Sequence, residues 1–409
     1  MRLQLRLFLT ALLSVSILAT AVAADKGSPA PATYLITNDD GALHNNVSFF
    51  TPGGSQGSST LTFSFDINSG GIGIGGGYFG LPRLAMLPTP SPQCVYASNG
   101  GSGDIAGINI QTHLLTGNFT GSDGDAGDAM GIGVVQNANY LYAGYSASNT
   151  IGTFAIQAGC QLSFLGDVPA AGLNGGSVSG MALHGNLLVL AYADGSIESF
   201  NIANGLPVSN GDAQNSSGYN QHNIAFPDGV DITADGHYAI FGDSAVNIML
   251  EVSDISSGHL TTTVPYTLGG SASAVGPSVR ARLSAINSGS VRLSPDQSMI
   301  YVANNEIGSV TAAFFNAQTG TIGGGCNSPS LIGYYNPWAF TGSVATRDNT
   351  GNGGVLYVSE YGYNGSYLGV LTITSNGTLC ALTETSGSGV QDLLSDGLLS
   401  ITTYPPRQF

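Results

Sequence analysis

Cations are scarce in this chain, which has nine Lys and Arg against twenty-five Asp and Glu in 409 residues. Arg280, Arg282 and Arg292 fall together in one stretch. A guanidinium offers parallel N–H donors that match a carboxylate or phosphate, so an arginine cluster in an acidic protein reads as an anion clamp. Downstream lie Tyr334, Tyr335 and Trp338, the single tryptophan, flat surfaces on which a sugar ring can stack. The competing reading is structural: each arginine pairs with a local acid, and Trp338 packs in a core. Asp231 and Arg292 stand at the same offset before Ile240 and Tyr301. On equivalent elements, Arg292 can hold a polar ligand while Asp231 orients it or acts as base. Equally, the two can form an ion pair with no chemistry. His222 and Asp228, in the stretch Tyr219–Asp228, are the other titratable groups just upstream of Asp231.

What must position these residues is a repeat. Ser290–Ile322 reads as a strand ending at Leu293, a Ser-Pro-Asp turn and a second strand Met299–Ala303. Polar Asn304-Asn305-Glu306, a third strand Ser309–Asn316 and a Gly-containing turn follow. Short strands separated by turn residues mark antiparallel sheet. Weaker copies recur, each with a Tyr- or Leu-rich second strand: Tyr34–Ile36, Cys94–Tyr96, Tyr140–Tyr142, Leu187–Leu190, Tyr238–Ile240, Met299–Tyr301 and Val355–Tyr357. These seven copies, spaced by roughly 45–60 residues, predict an all-β, seven-bladed β-propeller. First strands at Ile132–Val134, Val230–Ile232 and Val291–Leu293 make Gly133 the blade-three equivalent of Asp231 and Arg292. The first copy lacks a first strand. The segment Asp396–Thr403 is predicted to supply it, so that the C-terminal strand completes the N-terminal blade and leaves no open edge.

In such a ring the first strands line a central channel, and the loops joining second to third strands share one face. Those loops carry Asn38 and Asp39, Asn99, Asn149, Asp194, Asp243, Asn304 and Glu306, and Glu360. Their oxygens could ring the channel mouth and hold a hard cation such as calcium, or simply close hairpin turns. No other metal or cofactor is predicted. The Gly-rich run Ser69–Gly77 is expected to be the loosest connection.

The stretch LSPDQSMIYVANNEIGSVTAAFFNAQTG, with ITADGHYAIFGD in the preceding copy, resembles the repeat of lactonase-type seven-bladed propellers. This is the group of 6-phosphogluconolactonase-like proteins and YVTN-type surface repeats. As a pattern the resemblance covers the mature chain. It implies the propeller fold and, for the hydrolases of the group, action on a sugar-acid lactone. It also implies a His ahead of the first strand of a middle blade, in a Pro-His or Arg-His context, and an acid ahead of the Ser-Pro-Asp run of the next. Here Pro227 matches, Asp228 stands at the His position and Ser290 at the acidic one, with His222 nearby at a different offset. Lactone hydrolysis needs an activated water and a donor for the developing oxyanion. On that reading Arg292 is the donor and Asp228 or Asp231 the base.

Composition narrows the rest. Arg2 and Arg6, the apolar run Leu7–Ile17 and Ala21-Val22-Ala23 read as a secretory signal over 1–23. A short leader, 24–32, and a single domain, 33–409, would follow. The formal charge of −16 becomes −18 once Arg2 and Arg6 are removed. So acidic a chain is a poor partner for nucleic acid, and no later segment is long and apolar enough to span a bilayer. Export, to a periplasm or outside the cell, permits disulfides. Cys94, Cys160, Cys326 and Cys380 allow three connectivities; their places on the blades favour Cys94–Cys160 and Cys326–Cys380, each joining neighbours. The expectation is an exported, monomeric binding module. It would take a small anionic or sugar-acid ligand, or another protein, at the loop face through Arg280, Arg282, Arg292, Tyr335, Trp338 and Glu360. The alternative is a lactone hydrolase using Asp231, Arg292, Asp228 and His222.

Overall fold

Each second strand is paired on both edges, and the neighbouring blades cover both its faces, so it reads as a nearly unbroken apolar run; Leu187–Tyr192 is buried throughout. The computed structural model describes residues 34–53, 60–75, 81–86, 93–121, 131–216, 227–243, 249–267, 288–304, 309–327, 340–346, 355–362, 365–375, 380–384, 389–392 and 400–404. In them the chain forms seven antiparallel sheets, the blades of a β-propeller. Blades two to seven begin with the first strands Leu84–Met86, Ile132–Gln136, Val178–His184, Pro227–Ile232, Ser288–Leu293 and Phe340–Thr346. Blade one takes its first strand from the other end of the chain. Ser400–Tyr404 pairs antiparallel with Tyr34–Asn38, from Tyr34 opposite Tyr404 to Asn38 opposite Ser400. Each first strand touches the first strand of the next blade, and Phe340–Thr346 touches Ser400–Tyr404, which closes the circle.

The core is a set of wedges between blades. Side chains alternate across each strand, so every blade feeds two wedges. Ile36, Val47 and Phe49 meet Leu84, Val95 and Ala106 of blade two. Leu35 and Phe50, one residue along, meet Tyr357 and Leu368 of blade seven. Seven such clusters fill the seven boundaries. Burial pushes the Tyr96 and Tyr142 hydroxyls in these wedges up to about 12, so they stay neutral at any working pH. Disulfides Cys94–Cys160 and Cys326–Cys380 tie blade two to three and six to seven. Among the described residues no helix is long and apolar enough to cross a membrane.

Asp231 lies opposite Ile240 and Arg292 opposite Tyr301, as the offset predicts. Blade three departs from it: Val135, not Gly133, lies opposite Tyr142. The link Asn137–Asn139 between its first two strands is shorter than Thr233–His237 or Ser294–Ser298. The register therefore moves by an even step, which keeps the same side chains on the same face.

Candidate functional site

Around the ring, the residue opposite the third position of each second strand is Thr402, Ala85, Val135, Ala182, Asp231, Arg292 and Ala345 in blade order. The two charged members sit in adjacent blades. They do not face one another. Cross-strand partners share a face, so Asp231 points with Ile240 into the wedge toward blade six. Arg292 points with Tyr301 into the wedge toward blade seven. Asp231 is 5% exposed. Its Oδ2 accepts the Leu293 N–H at 2.7 Å and its Oδ1 the Ile232 N–H at 3.0 Å. A first strand has a sheet partner on one side only, so amides on its other edge need acceptors. Asp231 supplies one across the blade boundary. Arg292, half-buried, cannot repeat this in the next blade because a guanidinium has no acceptor. The ion pairs among the described residues are Arg83–Asp40 and His237–Asp235. The pairing of Asp231 with Arg292 considered from sequence is thus replaced by a carboxylate-to-backbone clamp.

Arg292 is also displaced from the loop face. Ser288, at the other end of its strand, pairs with Asn304, where the second strand runs into its loop. Arg292 lies beside the hairpin, ~13 Å along at ordinary strand rise. It stands at the hairpin end of its strand, away from the loop end where the loop-face reading put it. On the blade-three side the inner ring is packed solid. Leu81 is buried with Tyr142, Val178 and Met181, and a side chain on Gly133 would collide with Leu81 and Met181. The charged members of the seven positions are those of blades five and six.

The loop face over blades one and two holds a network not expected from sequence. Arg83 Nη1 lies 2.7 Å from Asp40 Oδ2, with the two side chains 4% and 1% exposed. The Arg83 carbonyl accepts Asn38 Nδ2 at 3.2 Å, and its N–H donates to Ser400 Oγ at 3.1 Å. Residues 69–75 are strapped over this pair. Ile74 N–H donates to Asp40 Oδ1 at 3.1 Å, Gly73 N–H to the Gly41 carbonyl at 2.8 Å and Gly75 N–H to the Asp40 carbonyl at 2.9 Å. This part of the Gly-rich run is a close-fitting strap, which corrects the loose connection expected. Its glycines permit backbone approach: a side chain on Gly73 would strike the Asp40 backbone, and one on Gly71 would strike Asn99.

Several of the described loop oxygens are engaged by neighbouring donors, within a turn or across blades. Asp39 accepts Ser48 Oγ at 2.6 Å. Asn99 Oδ1 accepts Asn45 Nδ2 at 2.8 Å and Ser69 Oγ at 2.6 Å. Asp194 Oδ2 accepts the amides of Asn174 at 2.7 Å and Gly176 at 3.1 Å, and its Oδ1 accepts the Ser196 amide at 3.0 Å and hydroxyl at 2.6 Å. Glu360 lies within the strand Val355–Gly362, opposite Tyr367 and only 2% exposed. Among the described residues no group of three or more His, Cys, Asp or Glu is placed to hold a metal ion. Asp228 lies on the first strand of blade five, and its side chain is outside the described set. His222, Arg280, Arg282, Tyr335, Trp338 and the segment 1–33 also lie outside the described residues.

No protein-family model matches the sequence, and no curated protein matches it. Solved structures match its shape. A candidate 6-phosphogluconolactonase from Bacteroides uniformis gives a TM-score of 0.65 at 14% identity, over 91% of this chain and 99% of that one. Another, from Bacteroides fragilis, gives 0.63 at 14% identity over 92% and 100%. A periplasmic gluconolactonase of Pseudomonas aeruginosa gives 0.60 at 12% identity over 91% and 99%. The fold is that of the lactonase-type seven-bladed propellers. At such identities the likeness concerns the fold, and it bears out the resemblance carried by the Ser-Pro-Asp repeat. Within this ring, the two charged inner positions fall in the blades whose first strands carry Asp228 and Ser290.

Proposed function

We propose that the protein binds a sugar acid or its lactone at the innermost strands of the ring and opens the lactone ring. The observation that carries this reading is Arg292: a half-buried guanidinium on an innermost strand of an acidic chain. A cation in that confined setting draws an anion more strongly than one in bulk water. The substrate class named for the gluconolactonase and the two candidate 6-phosphogluconolactonases, each matched over nearly its whole length, favours the same ligand. Ring opening needs a base for water and a donor for the oxyanion. Arg292 is the donor. Asp231 already accepts two backbone amides, and Asp228, three residues nearer the loop end of the same strand, is the other carboxylate read from sequence as the base. Export through a signal at 1–23 and a monomeric state belong to the same proposal.

The test is acid release from gluconolactone and 6-phosphogluconolactone by the mature protein. Arg292→Ala should lower turnover by about a hundredfold, the usual loss for an oxyanion donor, with the circular dichroism spectrum unchanged. No turnover on either lactone, together with no rise in melting temperature in gluconate, overturns the reading. One observation favours a second: Asp228 and Ser290 stand where the resembling hydrolases carry His and an acid. That favours an exported binding module without turnover, in which gluconate raises the melting temperature while both lactones persist.

A further inference from the structure

We infer that Asp231 is a positioning residue, whose carboxylate fixes the Arg292–Leu293 peptide across the boundary of blades five and six and so sets where the Arg292 guanidinium stands. The inference rests on the proposed role of Arg292 as hydrogen-bond donor to the anion. The decisive contact is Oδ2 of Asp231 to the Leu293 N–H at 2.7 Å, because that amide belongs to the same peptide unit as the Arg292 carbonyl. The bond is charge-assisted and buried, the class of hydrogen bond that holds geometry best.

The local backbone makes this restraint consequential. Just upstream, the ladder between the first and second strands of blade six shifts register between Ser288 and Val291. A shift of this kind interrupts the pairing that would otherwise pin the strand. Just downstream, Ser294 anchors the hairpin, its Oγ accepting the Met299 N–H at 3.0 Å and donating to Asp296 Oδ1 at 2.6 Å. Gln297 Oε1 accepts the Ala234 N–H at 2.7 Å, a second tie between the two blades at their hairpin tips. Arg292 therefore sits on a short segment between an interrupted ladder and an anchored turn, and Asp231 grips that segment from the neighbouring blade. Both oxygens of this carboxylate already accept backbone amides, which separates this role from proton abstraction.

The experiment compares D231N, D231A, R292A and the D231A/R292A double variant. It measures gluconate affinity by calorimetry, amide hydrogen exchange at Leu293 by mass spectrometry, and the pH profile of lactone opening. D231A should speed Leu293 exchange and weaken gluconate about tenfold, the loss of one hydrogen bond to a charged group. D231N keeps an acceptor oxygen and should recover part of both. The double variant should bind no more weakly than R292A, since both substitutions act through one group. Wild-type affinity in D231A, or additive losses in the double variant, overturns the inference. Loss of the acid limb of the pH profile in D231N does so too, because Asp231 would then be the base. If the wild-type protein neither binds gluconate nor opens a lactone, the proposed function fails, and Leu293 exchange alone decides the clamp. Unchanged exchange in D231A sinks it, and faster exchange sustains it.

Discussion

Asp194 illustrates how acidic side chains are used at the loop face. Burial alone would raise its carboxyl. The Ser196 hydroxyl and the amides of Asn174, Ser196 and Gly176 outweigh that and hold it below the usual carboxylate range. Its folded pKa is depressed, so the stability it contributes is fully present above the unfolded value of about 3.9 and is lost as pH falls through the lower folded value. Asp194→Ala should therefore lower the melting temperature at pH 7, and the gap to wild type should narrow below about pH 4. Parallel melting curves from pH 7 to pH 2 would refute this. The turn-closing use of Asp and Asn was legible in sequence, because it depends on near neighbours such as Ser196. The task of Asp231 was not, because its partner Leu293 lies in the next blade. Arg83 gave no signal either: its partner Asp40 is on another blade, and nothing in the stretch Leu81–Leu84 distinguishes a buried cation from an exposed one.

Residues 69–75 pose the same problem at the scale of an element. Glycine suits a slack linker and a backbone pressed against another, and composition alone does not separate the two. Here the strap covers a buried ion pair, so its fit has a measurable cost. Gly73→Ala should destabilise by about 1–3 kcal/mol, the range for forcing atoms into a packed site, because the new methyl meets the Asp40 backbone. Arg83→Met should cost about 3–5 kcal/mol by leaving a carboxylate buried without its cation. Adding Asp40→Leu to Arg83→Met should recover much of that loss, since two apolar side chains can replace a buried pair. Denaturant melts of the four proteins check both points; a double variant no more stable than Arg83→Met would show that the strap, not the pair, carries the energy. The link between first and second strands in blade three teaches a related lesson. Its turn chemistry is readable in Asn137 and Asn139, but its length depends on where the first strand ends, which one apolar run does not mark, and that length puts Val135 in place of Gly133.

The ring itself was the most legible level, since turn residues and apolar second strands recur in every copy and a missing first strand had to come from somewhere. Its boundaries are not held equally. Disulfides bridge blades two and three and blades six and seven. The boundary between blades seven and one is closed by Ser400–Tyr404 without a covalent link. That strand buries Ile401 against Tyr357 and Val370, and its Ser400 accepts the Arg83 N–H at the start of blade two. Removing residues 400–409 strips the edge of Tyr34–Asn38, opens the wedge around Leu35 and takes away the acceptor for Arg83, so three supports go at once. The truncated chain should lose its cooperative melt and associate through the exposed edge. Reducing the intact chain should be milder. Bridges closing separations of 66 and 54 residues contribute at most about 4 kcal/mol each in the chain-entropy view, and the reduced ring keeps every sheet paired. Melting and size-exclusion profiles of the truncated and the reduced proteins make the comparison. A truncated chain that melts cooperatively at the wild-type temperature would mean that the wedges alone hold the circle, and that the last strand is an accessory to closure.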